Sequence, residues 1–74
     1  MIAPLQQLED ALDLQSYEWL LAQEPDIAAA VEVGIARGAT PEQIRRFAVR
    51  KTGRLELALR LEQAARYLLK LREV

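Results

Sequence analysis

Residues 40–54 read TPEQIRRFAVRKTGR, a stretch that carries both the start and the stop of one helix. Thr40 stands where a helix cap belongs, Pro41 has the fixed φ suited to a first helical position, and Gln43 can close a reciprocal capping box with Thr40. Ile44, Phe47 and Ala48 then recur at helical spacing, which makes them the inward stripe, and Gly53 ends the element. A helix over 41–52 is therefore fixed by local chemistry alone.

Working outward, residues 55–73 form a second helix after the Gly53 turn. Leu57, Leu61, Ala64, Ala65, Leu68 and Leu71 share one side, whereas Leu55, Leu59 and Leu69 fall towards another. Such a helix is apolar on more than one face, so either the amino-terminal segment wraps around it or a second chain covers it. Upstream, Pro25 opens a segment read over 26–37, with Ile27, Val31 and Ile35 on one face and Gly38 as a left-handed stop. Ala28, Ala29, Ala30, Gly34 and Ala36 make this helix thin, which predicts that it is the central, most buried element. Nearer the start, Pro4 precedes a stripe of Leu5, Leu8, Leu12, Gln15 and Trp19 that is expected to face the core. Ser16 can cap a fresh helix, so the segments 4–14 and 16–23 are either continuous or bent near Asp13 to Ser16, with the bend favoured. The fold class that follows is all-α, a compact four- to five-helix bundle in one domain over residues 1–74.

The composition narrows the function classes. The chain contains no cysteine and no histidine. Their absence removes thiolate and imidazole metal ligands, disulfides, the commonest general base and every Ser-His or Cys-His nucleophile. Catalysis is not expected, and no cofactor or metal is called for. Glu9, Asp10 and Asp13 match no calcium-loop spacing and read as a solvated acidic face. The longest apolar run, Ile27 to Val31, falls far short of the roughly 20 residues that span a bilayer. Met1-Ile2-Ala3-Pro4 lacks the basic opening of a secretory leader, so cytoplasmic residence without membrane insertion is the expectation.

Charge is strongly segregated. Residues 1–36 hold seven acids and no Lys or Arg, a net of −7, whereas residues 37–74 hold ten bases and four acids, a net of +6. Within the basic half, Arg45, Arg46, Arg50, Lys51 and Arg54 surround the Thr52-Gly53 turn, with Val49 as an apolar neighbour. Guanidinium groups beside an apolar side chain suit a protein partner with an acidic surface. The leading expectation is accordingly a non-catalytic adaptor or regulator that binds such a partner through these six residues. A competing reading assigns the bases to the helix macrodipole and to local pairs such as Glu42 with Arg46, and Glu62 with Arg66.

Two alternatives remain from the sequence. Helix, glycine turn and helix suggest a DNA-binding helix-turn-helix regulator, which would need to dimerise for firm binding. Against it, Arg54 and Glu62 occupy positions such a motif usually buries, and Glu56 would repel phosphate. A self-assembling structural subunit is the third reading, with Leu55 and Leu59 as the homodimer interface. Trp19 reads as a packing residue and Tyr67 as an exposed one.

Overall fold

The computed structural model describes residues 4–73. Four helices follow in chain order: α1 (Pro4–Gln23), α2 (Pro25–Ala36), α3 (Pro41–Thr52) and α4 (Leu55–Glu73). The described residues are otherwise short connections, and Met1 to Ala3, on which the leader reading rests, lie outside them.

The boundaries follow from local hydrogen bonding. At the start of α3 the Gln43 N–H donates to Thr40 Oγ1 at 3.1 Å and the Thr40 N–H donates to Gln43 Oε1 at 2.9 Å, completing the capping box. At its end Gly53 takes φ +68°, and its N–H reaches the Val49 carbonyl at 2.9 Å. Thr52 braces the same turn, donating from its hydroxyl to Ala48 O at 2.7 Å while accepting the Arg54 N–H at 3.1 Å. Gly38 also lies in the left-handed region, φ +96°, where only glycine is unstrained.

α4 is the hub. It packs against α1, α2 and α3, whereas α1 and α3 do not touch each other and therefore lie on different sides of it. The buried apolar residues are Leu20, Ala28, Val31, Ile35, Ala48, Leu57, Ala58, Leu61, Ala64 and Ala65. Three of these are alanines of α4, small enough to let neighbouring helices approach its axis closely. This corrects the expectation that residues 26–37 form the centre. On α2 only Ala28, Val31 and Ile35 are buried. Its remaining small residues do not draw neighbours in; they leave space beside it.

α1 differs from expectation in two further ways. It is one continuous helix, and Ser16 caps nothing: its buried hydroxyl donates to Gln63 Oε1 of α4. The face turned to the core carries Asp13, Ser16 and Leu20, while the predicted inward leucines Leu5, Leu8 and Leu12 remain 77%, 55% and 40% exposed. At about 100° per residue the two faces are roughly a quarter of a turn apart. The polar face wins because α4 supplies its complement. Asp13, 1% exposed, accepts from Arg66 Nη2 at 3.3 Å and Lys70 Nζ at 3.1 Å, and Lys70 also reaches Asp10. Tyr17 stacks on Tyr67, centroids 5.4 Å apart, and donates its hydroxyl to Glu32 of α2 at 2.9 Å. Tyr67 is thus half-buried rather than exposed. Among the described residues no buried side-chain polar atom lacks a partner, as a stable polar interface requires.

Candidate functional site: a groove between α2 and α3 with a basic rim

The six residues singled out in the basic half separate into two groups. Arg45 is half-buried and paired with Glu62 at 3.2 Å and Glu42 at 3.9 Å, and Arg46 is paired with Glu42 at 2.7 Å. Both are held by carboxylates of the same half of the chain. Arg50, Lys51 and Arg54 are exposed and form no ion pair among the described residues, and Val49 beside them is also exposed. The acids of the amino-terminal half go elsewhere: Asp10 and Asp13 engage Lys70 and Arg66. Glu62 and Arg66, read from sequence as a pair, therefore each have a different partner. Nor is the acidic face of α1 simply solvated, because Asp13 is enclosed.

Next to the free bases lies a feature that sequence reasoning did not find. α2 and α3 touch only lightly, and the gap between them is a groove of about 720 Å³. Ile27, Ala30 and Gly34 line it from α2, Ile44 and Phe47 from α3, and Leu57 and Leu61 of α4 close it from below. Arg50 and Lys51 border it, with Asp26 contributed by α2. The volume falls within the roughly 300–1,000 Å³ of typical binding clefts, and the lining is mostly apolar with few polar groups, as such clefts usually are.

Phe47 decides what this groove presents. The helical pattern places it inward with Ile44 and Ala48, yet only Ala48 is fully buried, Ile44 is half-buried and Phe47 is 54% exposed. The Lys51 ammonium lies 5.7 Å from the centre of its ring. Phe47 stays outward because Ala30 and Gly34 offer only a single methyl group between them from α2. Those two residues, four apart on a helix, were the available signal, but a gap among three helices cannot be seen from one.

Electrostatic shifts concentrate away from the groove, along α1 and α4. Hydrogen bonding to Lys70 holds the Asp10 carboxyl below its ordinary value, with Gln6 assisting, and Asp10 in return raises Lys70. Burial pushes the Tyr17 phenol up, and the neighbouring Glu32 carboxylate adds to the effect. These groups fasten α1 to α4 rather than forming a reactive centre.

Helix, glycine turn and helix are all present over α3 and α4, but the exposed residues at the start of α4 are Leu55, Glu56 and Leu59. They offer apolar surface and a carboxylate where base-reading donors would be wanted. Arg60, the next base, lies against the Trp19 ring at 4.5 Å. Comparison with known proteins returned no matching family, no matching curated protein and no matching solved structure.

Proposed function

We propose that this chain is a non-catalytic interaction protein, an adaptor or regulator, whose α2–α3 groove receives an amphipathic helix bearing acidic residues. Juxtaposition is the observation that carries this reading: an apolar groove with a half-exposed phenylalanine lies directly beside Arg50 and Lys51, neither of which pairs with a carboxylate among the described residues. A helix laid into a groove binds through apolar anchors on one face, and flanking charges set orientation and association rate. Arg54 and Val49, though exposed, do not line the groove, and Arg45 and Arg46 are held by Glu42 and Glu62.

The reading is tested with a designed acidic amphipathic peptide, fluorescently labelled and titrated with the full chain. Binding is expected at low salt and should weaken at least about tenfold in Phe47→Ala, as truncation of a central aromatic anchor does. Arg50→Glu with Lys51→Glu should weaken it further and flatten its salt dependence. A peptide that binds wild type and both variants equally would remove the groove from the argument. Labelled double-stranded DNA in the same assay examines the nucleic-acid alternative: a steep salt-dependent shift with DNA and none with peptide would favour phosphate as the target.

Self-assembly is the second reading, favoured by Leu55 and Leu59, which remain 59% and 44% exposed at the start of α4.

A further inference from the structure

The outward leucines of α1 lie outside the buried core, and no residue among those described occupies the groove. We infer that the helix the groove receives is α1 of a second copy, so that the chains associate head to tail. This rests on the docking reading above and names its partner.

The anchors match the mode. Leu5, Leu8 and Leu12 stand at positions i, i+3 and i+7 of one helix, the spacing by which an amphipathic helix seats in an apolar groove. From Leu5 to Leu12 is about 10 Å along the axis at 1.5 Å per residue, and Ile44 to Lys51 on the groove wall is the same length. Gln15 interrupts the stripe just beyond Leu12, which limits the seated segment to these anchors. The charges match as well. α1 contains Glu9, Asp10, Asp13 and Glu18 and no base, with Glu9 and Glu18 exposed, whereas Arg50 and Lys51 border the groove. Asp10 and Asp13 are already paired with Lys70 and Arg66, which leaves Glu9 and Glu18 as the exposed acids of α1.

Topology then dictates the kind of assembly. Because α1 and α3 lie apart in one chain, a copy displays both surfaces at once and cannot satisfy one with the other. A reciprocal two-fold exchange would need both surfaces on one face of the molecule; with α1 and α3 on different sides of α4 the contact is heterologous and extends into a ring or an open chain.

Sedimentation and light scattering on the full chain across a wide concentration range test this. Wild type should form species larger than a dimer, either a closed ring of fixed mass or a chain whose mass grows with concentration. Leu8→Glu and Phe47→Glu change exposed side chains on the two opposing surfaces, and each alone should be monomeric with an unchanged helical spectrum. Mixed in equal amounts they should form a one-to-one heterodimer, since the first retains an intact groove and the second an intact α1. If either charged variant unfolds, Leu8→Gln and Phe47→Gln replace the pair. Wild type that stays monomeric while the designed acidic peptide binds the groove would overturn the second-copy inference and leave the docking reading standing. Neither peptide binding nor self-association would overturn both. Self-association of wild type with no heterodimer from the mixture would mean a symmetric contact, and would equally overturn the inference.

Discussion

The Asp13 cluster allows a prediction in which removing two partners costs more than removing all three. Asp13 is 1% exposed, whereas the side chains of Arg66 and Lys70 are 42% and 41% exposed. Asp13→Ala removes the enclosed charge and leaves two cations that can turn to water. The cost should be about 1–3 kcal/mol, the worth of hydrogen bonds to a charged group. Arg66→Met combined with Lys70→Met instead keeps an aliphatic cover over Asp13 and leaves its carboxylate enclosed between α1 and α4 without a counter-charge. Stranding a buried ion in this way costs about 3–5 kcal/mol, a large share of the roughly 5–15 kcal/mol that holds a small protein together. Asp10 also loses Lys70 in that double variant, but it is partly solvated and contributes little. Adding Asp13→Ala to the double variant should therefore restore about 2 kcal/mol, the difference between the two ranges. Urea unfolding at pH 7, followed by helical circular dichroism and by the fluorescence of Trp19, the single tryptophan, measures all four proteins. A triple variant no more stable than the double would show that Asp13 carries no burial penalty, and the account of the α1–α4 interface would fail.

Three further outcomes are expected. Thr40→Ala removes the acceptor of the Gln43 N–H and should cost about 1 kcal/mol, which lowers the melting temperature of a domain this size by roughly 4–8 °C. Gly34→Ala should raise stability by up to about 1 kcal/mol: the added Cβ would sit 3.8 Å from Ile44 Cδ1 and 3.9 Å from Ala39 Cβ, ordinary contacts, and a lower melting temperature would refute the open packing there. A small part of the stability should also be lost at each pH extreme through the Asp10–Lys70 pair. The lowered Asp10 contributes fully above the ordinary 3.8 and is lost as pH falls through its folded value; the raised Lys70 contributes fully below the ordinary 10.5 and is lost as pH rises through its own. A stability profile of Asp10→Asn with Lys70→Gln that declines as steeply as wild type at both ends would exclude the pair as the cause.

How much of this was legible depended on whether the deciding partner was near in sequence. α3 could be read residue by residue because Thr40, Gln43, Thr52 and Gly53 act on backbone groups within four positions of themselves. Glu42 with Arg46 was legible for the same reason. The orientation of α1 was not, since the rule that leucines face inward judged the helix alone. What turns it is a polar series on α4, where Gln63, Arg66, Tyr67 and Lys70 answer Ser16, Asp13, Tyr17 and Asp10. Both series repeat at three-and-four spacing, so an amphipathic pattern of polar residues was present, but its value depends on the two being antiparallel neighbours. Within the basic cluster, Arg50, Lys51 and Arg54 are exposed without an ion pair among the described residues, while the partner of Arg45 lies seventeen positions away on another helix.

The balance of large and small side chains links the fold to its surfaces. Eight of the thirteen leucines are exposed, whereas Ala28, Ala58, Ala64 and Ala65 are wholly enclosed. Burying a leucine side chain is worth roughly 1.5–3 kcal/mol relative to leaving it in water, so the three outward anchors of α1 withhold an amount comparable to the margin of a small domain. Scattered exposed leucines are ordinary on a protein surface; a stripe of them at anchor spacing is not. An alanine-rich interior lets three helices close around α4 with little apolar area consumed, and the area saved is displayed on α1 and around Phe47. If the two surfaces meet between copies, the stabilisation missing from the isolated chain is recovered on association, because whatever binds the folded state alone shifts folding by mass action. Stability and assembly then form one equilibrium, with a melting temperature that climbs as the protein is concentrated in wild type and stays level in Leu8→Glu.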